Sequence, residues 1–587
     1  MCGIFGYTGQ RKKAAEIVFD GLKQLEYRGY DSWGVGVCVG DNFVIDKHAG
    51  KIGNAVVNLP DRSFSFGHTR WATHGGVTDK NAHPHLDCTK TIAIVHNGII
   101  ENFQEIRKKL SPKHTIISET DTEIMAHLIE EYRKKYDTVE AIRLAFLECQ
   151  GLSAFLIADA KSKMLIAVKT GSPLVVGVGQ GENLVGSDAH CLLSLTRNVV
   201  FLENNQLAVL TQDNVDFLDV KGGHEIKPNI HTLDWKPENT KKGKYKHFLI
   251  KEVSEQPRVL ENIALHYAEE VRKLSKLITE AFGTFMLGCG SASYAALSGV
   301  YLFSKIAKKH VNFGIGSEFS YLEDYLTSKS LVIPISQSGE TIDVVEPVSK
   351  AKKKGVKIAA LVNVMGSTLY RQADFRLMLG AGQEKAVIGT KSFTAMFAVL
   401  LFSAYAIVNK EKVAKNLLLA ASKNVSKILD KKTVSKIKKL AKILKEKEHA
   451  YVIGRGLSYA AALEGTLKLK ETSYLHAEGF AGGELKHGVI ALIEKGTPCF
   501  VIAPNDETYD EIISNAQEVK ARGGLIVGVG PRENDVFDIF LKTEDIKEAT
   551  LIPQVVYFQL LGYFLALEKG FKDPDKPRNL AKSVTVK

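Results

Sequence analysis

The second residue of the chain is a cysteine, Met1-Cys2-Gly3, and it runs into the apolar stretch Ile4-Phe5-Gly6-Tyr7. Removal of the initiator methionine, expected ahead of so small a side chain, would place a thiol and a free α-amine on one residue. The amine titrates near ~7.7–8.0 and the thiol near ~8.5, so a neutral fraction of the amine can take the thiol proton and one residue carries nucleophile and base. Taken alone, Cys2 reads as a buried thiol on an N-terminal strand. Three further strings change that reading: His68-Thr69-Arg70-Trp71-Ala72-Thr73-His74-Gly75, His96-Asn97-Gly98 and Ser118-Glu119-Thr120-Asp121-Thr122-Glu123. An arginine offers a bidentate fork for a carboxylate, an aspartate a partner for an ammonium, and an Asn-Gly pair two N–H donors for an oxyanion. The plainer role of Asp121 is a helix N-cap. Together these groups describe an amino-acid site beside a thiol nucleophile, and glutamine is the ligand that matches.

A second set of groups lies beyond residue 280. Ser336-Gln337-Ser338-Gly339-Glu340-Thr341 follows an apolar strand and opens a helix, with three hydroxyl residues in six. Hydroxyls and backbone N–H groups at a helix N-terminus cradle anions, so the loop reads either as a phosphate site or as a simple cap. Further on, Lys468, Lys470, Glu471, His476, Glu478, Glu484, Lys486 and His487 crowd around Gly479, Gly482, Gly483 and Gly488. Each charged residue alone would be a solvated face, and His487 alone a core histidine; the density beside glycines is what suggests a ligand. The tail Pro577-Arg578-Asn579-Leu580-Ala581-Lys582-Ser583 is too polar for a core element. It is either a frayed end or a strap that brings Lys582 as an amine for carbonyl chemistry.

The elements that must position these groups fall into two kinds. Residues 1 to about 215 are rich in short β-like segments such as 91–95 and 153–158, interrupted by helical stretches near 14–25 and 122–136, which makes an α+β domain. A polar, Lys-rich connection spans 216–247. Beyond it, FMLGCGSASYAAL (285–297) repeats as YVIGRGLSYAAAL (451–463) at an offset of 166, with a one-residue gap after the glycines, and LVIPISQSGET (331–341) as PCFVIAPNDET (498–508) at an offset of 167. Each continues into a helical stretch, a basic turn and another apolar strand, so 270–415 and 440–577 read as two tandem α/β domains with parallel sheets, followed by the tail 578–587. In the second copy the anion loop has become Ala503-Pro504-Asn505-Asp506-Glu507-Thr508, whose carboxylates would repel a phosphate.

Composition narrows the classes. The 587 residues are 45% hydrophobic and 24% charged, with a net charge of +11, as expected of a folded multidomain chain. The densest basic run, 430–449, keeps apolar residues at helical spacing, so it reads as a solvated helix and no nucleic-acid partner is expected. The apolar run 393–408 is too short for a membrane span and reads as a buried helix, so no membrane association is expected. Seven scattered cysteines without CxxC spacing suggest neither a zinc site nor a disulfide framework, and no metal or cofactor is expected. A cytoplasmic location fits.

The strings MCGI, EYRGYDS (26–32), HTRWATHG (68–75), NAHPH (81–85), VHNGIIEN (95–102), SETDTE (118–123), KEVSEQP (251–257), SQSGET (336–341), LKLKE (467–471), GELKHG (483–488) and PRNLAKSVTV resemble, in order and over essentially the whole chain, the glutamine–fructose-6-phosphate aminotransferase (isomerizing) family. The resemblance implies a class II, N-terminal-nucleophile glutamine amidotransferase domain followed by two sugar isomerase (SIS) domains. It implies Cys2 as nucleophile, Asn97 and Gly98 as oxyanion hole, Arg70, Thr73, His74 and Asp121 as holders of glutamine, and Trp71 as gate of an ammonia channel. In the isomerase half it implies Ser291, Ser336, Gln337, Ser338, Thr341 and Val387 as binders of the sugar phosphate, with Ala581 beside them. Lys582 would form a Schiff base with fructose 6-phosphate, Glu471 would move the proton between C1 and C2 with help from Lys468, and His487 of a partner subunit in a homodimer would open the ring. Two positions depart from the family: Ala292 and Gly389 stand where a serine is common.

Rival readings are an amidophosphoribosyltransferase or asparagine synthetase, a glutamine amidotransferase with a different sugar phosphate acceptor, and a sugar-phosphate-binding regulator without catalysis. The duplicated SIS pattern and the Lys582 tail argue against the amidophosphoribosyltransferase and the asparagine synthetase. Intact Cys2, Glu471 and Lys582 argue against the regulator.

Overall fold

The computed structural model describes residues 2–233 and 242–584. Chain contacts divide it into two compact units, Met1–Asn239 with Ala581–Lys587, and Thr240–Leu580.

The first unit is built on two antiparallel sheets, of eight and six strands. Alternation along the strands explains their stacking. In Gly3–Gly9, Ile4 faces one core while Phe5 and Tyr7 face another; in Ile92–Gly98 of the other sheet, Ala93 and Val95 join the core of Ile4, and Ile92 and Ile94 point the opposite way. The Ile4 core is therefore the layer between the sheets. The outer faces are covered by helices: Ala14–Leu25 on the eight-stranded sheet, Asp121–Tyr132 and Thr138–Glu148 on the other. The stretch 216–247, expected as a connection, contains the end of the Val215–Asp219 strand and the short His231–Thr232 strand, both paired into these sheets.

The second unit holds two five-stranded parallel sheets. Their orders are Asn312–Ile315, Gly283–Gly288, Ser330–Ser336, Lys357–Val362, Phe375–Met378, and His476–Ala481, His449–Gly454, Pro498–Ile502, Leu525–Gly530, Ile539–Lys542. Numbered within each copy, both run 2-1-3-4-5, so strand order reverses between the first and third strands, where ligands sit in doubly wound sheets. The first strand of each copy ends in the same turn. Gly290 (φ 55°, ψ −129°) and Gly456 (φ 53°, ψ −130°) cap the helices Ser291–Leu302 and Leu457–Ser473. A Cβ on Gly288 would lie 2.5 Å from the carbonyl carbon of Ala292, and one on Gly454 2.2 Å from the oxygen of Ser458. Glycine is required at both places because the helix packs directly against the strand end.

The expected buried helix at 393–408 is Lys391–Ile407, buried from Lys391 to Ala406. Among the described residues one helix, Lys547–Glu568, is long and apolar enough to cross a membrane, but 94% of its apolar window is buried inside the fold, as for a core helix.

Candidate active site

Cys2 precedes the Gly3–Gly9 strand and Trp71 follows Phe64–Arg70; the two strands pair with Gly3 opposite Thr69, which sets the residues side by side. The Trp71 N–H donates to Cys2 Sγ at 3.2 Å, and Arg28 Nε donates to the Cys2 carbonyl at 3.1 Å. Burial raises the thiol above its ordinary value, and the Trp71 N–H and the charges of Arg70 and Arg28 only partly offset this. The resting group is a thiol, which must lose its proton to a base before it attacks.

Cys2 opens on a partly open cleft lined also by Arg70, Trp71, Thr73, His74, Gly98 and Asp121. His83, His96, Thr120 and Thr122 complete its wall. Arg70 does more than wait for a substrate: its guanidinium donates to the carbonyls of Gly75 and Gly76, each at 3.1 Å, and of His74. It thereby shapes the turn after Thr73, with part of its five-donor set left over. Asp121 is not the N-cap expected from sequence. Thr120 holds that position without a side-chain cap bond, and Asp121, the first helical residue, accepts from the Ile100 N–H at 2.7 Å. Gly98 has φ +142°, and a Cβ there would lie 2.2 Å from the Leu152 carbonyl oxygen, so glycine is obligatory.

Behind Asn97 stand groups that sequence reasoning did not assign. Asn97 Nδ2 donates to Ser187 Oγ at 2.9 Å, which uses one of its two hydrogens. His68 Nε2 lies 2.9 Å from the His96 carbonyl and 3.1 Å from Asn97 Oδ1. A carbonyl only accepts, so His68 carries its proton on Nε2, and its Nδ1 accepts from His83 Nδ1–H at 3.1 Å. Burial lowers His68 to about 3 and His96 to about 4, which keeps both neutral at physiological pH. Asp31 Oδ2 accepts from the Ala72 N–H at 2.9 Å. The strings EYRGYDS and NAHPH were the available signals for Arg28, Asp31 and His83; nothing local marks Ser187.

In the second unit the Ser336–Thr341 loop leaves the third strand at the point where strand order reverses. Ser336 Oγ accepts from Gly339 N at 2.9 Å and Ser338 Oγ from Glu340 N at 3.2 Å. The Glu340 carboxylate is engaged by the N–H and hydroxyl of Thr368 at 2.8 and 2.7 Å. Thr341 caps the following helix by position, without a side-chain cap bond. The Gln337 carbonyl accepts from Asn363 N at 3.2 Å, and Val387 N donates to the Asp575 carbonyl at 2.8 Å.

Opposite the loop, across the same reversal point, Ser291 meets a charged cluster. Lys468 Nζ, fully buried, lies 3.0 Å from Ser291 Oγ, 3.0 Å from the Gly389 carbonyl, 2.7 Å from Glu471 and 3.4 Å from Glu464. Burial pulls Lys468 down, yet the two carboxylates more than compensate and hold it above the usual lysine range. Glu464, absent from the sequence-derived set, is pushed up to about 7 by burial, against the pull of Lys468, and Ser291 Oγ lies 3.1 Å away. Its signal was available: Glu464 sits four residues before Lys468 on one helix. His487 is exposed at the end of Gly482–His487 and does not belong to this cluster. Ala581 and Lys582 fall in the first unit, with Lys582 partly buried. Ala292 is buried, whereas a Cβ at Gly389 would meet nothing closer than 3.5 Å.

A thiol at the head of a two-sheet sandwich, joined in one chain to a duplicated parallel-sheet pair, defines a class II glutamine amidotransferase carrying SIS domains. The glutamine amidotransferase domain family matches residues 47–245, and the SIS domain family matches 277–406 and 442–535. The glutamine–fructose-6-phosphate aminotransferases (isomerizing) of Pyrococcus horikoshii and Thermococcus kodakarensis are each 42% identical to this chain, covering all of both chains. The solved C-terminal domain of glucosamine-fructose-6-phosphate aminotransferase from Francisella tularensis aligns with a TM-score of 0.52 at 34% identity, covering 56% of this chain and 99% of that one. The chain belongs to the glutamine–fructose-6-phosphate aminotransferase (isomerizing) family.

Proposed function

We propose that this protein converts L-glutamine and D-fructose 6-phosphate into D-glucosamine 6-phosphate and L-glutamate. The observation that carries the reading is the Cys2 thiol opening on a cleft beside Arg70, Gly98 and Asp121. The α-amine of Cys2, freed by loss of Met1, takes the thiol proton, and the thiolate attacks the glutamine amide carbon. Asn97 Nδ2, through its remaining hydrogen, and the Gly98 N–H stabilise the oxyanion. Ammonia departs, and water then hydrolyses the γ-glutamyl thioester to glutamate. Arg70 and His74 face the substrate carboxylate and Asp121 its ammonium, with Thr73 and Trp71 completing the wall.

In the isomerase half, the Ser336–Thr341 loop and Ser291 hold the phosphate and sugar beside the Val387 backbone. Lys582, next to Ala581, forms the Schiff base with the ketose carbonyl. Glu471 carries the proton between C1 and C2, and Lys468 holds that carboxylate in place through the 2.7 Å ion pair. His487 reaches the site of a second copy in a cytoplasmic homodimer and opens the sugar ring; its exposure supports this reading. The glutaminase domain extends past the 2–215 read from sequence to include the paired strands Val215–Asp219 and His231–Thr232, and 270–415 and 440–577 are taken as the isomerase domains, with 578–587 as the catalytic tail.

The test is a product assay with both substrates. Wild type yields glucosamine 6-phosphate and glutamate in equal amounts. Cys2→Ala abolishes glutamine use but retains isomerisation of the sugar phosphate, and Lys582→Ala does the reverse. Glutamine-dependent synthesis by Cys2→Ala, or a different aminated sugar as the product, overturns the proposal.

A further inference from the structure

Four groups from three separate stretches of the chain converge in the first unit, apart from the Cys2 cleft. Cys88 lies in the turn after the His85–Leu86 strand, His114 in the turn that begins at Ser111, and His127 and Glu130 one turn apart on the Asp121–Tyr132 helix. Their ligand atoms, Cys88 Sγ, one nitrogen of each histidine and a Glu130 oxygen, all lie within 4.8 Å of one another. Cys88 Sγ is 3.4 Å from His114 Nδ1 and 3.6 Å from His127 Nδ1, and Glu130 Oε2 is 3.2 and 3.4 Å from the same two nitrogens.

These separations are the edges of a metal-sized tetrahedron. With Zn–S about 2.3 Å and Zn–N or Zn–O about 2.0–2.1 Å at tetrahedral angles, S···N edges come to about 3.6 Å and N···O edges to about 3.4 Å. The outer nitrogens agree. His114 Nε2 is 2.6 Å from Glu131 Oε1, and His127 Nε2 is 3.8 Å from Glu123 Oε1. Each imidazole points Nδ1 inward; His114 Nε2 bonds a carboxylate, the arrangement that fixes the tautomer of a metal-bound histidine, and His127 Nε2 faces one beyond hydrogen-bond distance. If hydrogen bonds alone joined the cluster, Glu130 Oε2 would draw a proton from both Nδ1 atoms at once, while His114 Nε2 already serves Glu131. A divalent ion takes the two Nδ1 lone pairs instead, and its charge is balanced by the thiolate and Glu130.

We propose that Cys88, His114, His127 and Glu130 bind one Zn²⁺ in a closed, structural site. Four protein ligands fill a tetrahedral shell and leave no position for substrate, and the mixed sulfur and nitrogen set favours zinc over the hard cations. The ion would tie the Cys88 turn and the His114 turn to the helix that begins at Asp121. Glu123 extends the connection, since its carboxylate also accepts from the backbone N–H groups of Ile117 and Ser118. Sequence spacing hides the set because only His127 and Glu130 are close in the chain.

The full chain is stripped with a chelator, dialysed, given Zn²⁺, and assayed for bound metal by elemental analysis and for thermal unfolding. One zinc per chain is expected in wild type and in Cys2→Ala, which removes the competing active-site thiol, and zinc raises the unfolding temperature of both. Cys88→Ala, a change at an exposed side chain, and His114→Ala should each weaken binding at least ~100-fold and lose the thermal shift. Glu131→Gln, which leaves all four ligands in place and changes the outer hydrogen bond together with the exposed Lys134 pair, should weaken it about 10- to 100-fold. Cobalt(II) should give tetrahedral thiolate absorption in wild type and lose its sulfur band in Cys88→Ala. Failure of wild type to retain zinc at micromolar concentration overturns the site, as does stoichiometric binding that survives in the Cys88→Ala/His114→Ala double variant.

Discussion

The two SIS copies share a backbone and divide the chemistry. Ser291–Leu302 and Leu457–Ser473 start from glycines with matching torsions and pack Ala292 and Ser458 alike against Gly288 and Gly454, without the gap read from sequence, so position 302 of the first corresponds to 468 of the second, and 298 to 464. At those positions the first copy has Leu302 and Ser298, both buried in its core, and the second has Lys468 and Glu464, also fully buried. The anion loops diverge the other way. In the first copy the loop carboxylate is drawn off to Thr368; in the second, Asp506 is held by the N–H and hydroxyl of Thr508 at 2.9 and 2.7 Å, and Glu507 pairs with Lys305 at 2.9 Å. The copy with the hydroxyl-rich loop has an uncharged helix, and the copy with the acidic loop carries the ionisable helix. A duplicated scaffold with one ligand site frees the second copy's side chains for proton transfer, provided the buried charges are paired.

The sharpest way to break this division is to give the second helix the apolar character of the first. Lys468→Met should lower sugar isomerisation and synthase turnover by roughly 10³-fold while glutaminase activity persists, because Glu471 loses its partner. Leu302→Met, the matching change in the first copy, should cost less than about 1.5 kcal/mol and leave turnover unchanged. Equal losses in a coupled product assay would dissolve the distinction.

The shared backbone predicts symmetry where the side chains do not. Gly288→Ala and Gly454→Ala should each destabilise by about 2–4 kcal/mol in urea unfolding followed by circular dichroism, since either Cβ collides with the next helix's backbone. A marked inequality would show that one copy tolerates a looser strand end.

The smallest effect concerns pH. Glu464 has an ordinary value of 4.5 and about 7 in the fold, so the native state holds its proton longer than the unfolded chain. Its contribution is full below pH 4.5 and is lost as pH rises through about 7, by roughly 1–3 kcal/mol. Glu464→Gln should flatten that decline in unfolding free energy measured from pH 4.5 to 7.5. An unchanged slope would mean that Glu464 is ionised in the fold.

Much of the architecture is legible in the chain. The helices at 14–25 and 391–407, the strands around 92–98 and 153–159 and the duplicated parallel sheets follow from local periodicity and from repetition, which need only neighbours in sequence. Asp121 shows where that ends: a helix start is visible in Ser118–Glu123, but the carboxylate's partner, Ile100 N, is reached only through tertiary packing.

The sequence by itself determined that Cys2, once Met1 is removed, can be nucleophile and base together, that Asn97–Gly98 offers donors suited to an oxyanion, and that one loop of a repeated pair suits a phosphate. These are properties of residue type and short spacing. Only the tertiary structure decided that Arg70 is partly spent on its own turn, that His68 and His83 buttress Asn97, that Glu464 joins Lys468 and Ser291, and that Cys88 meets His114, His127 and Glu130. Each of these depends on strands and helices far apart in the chain packing at one place, where burial rather than sequence distance sets charge and reach.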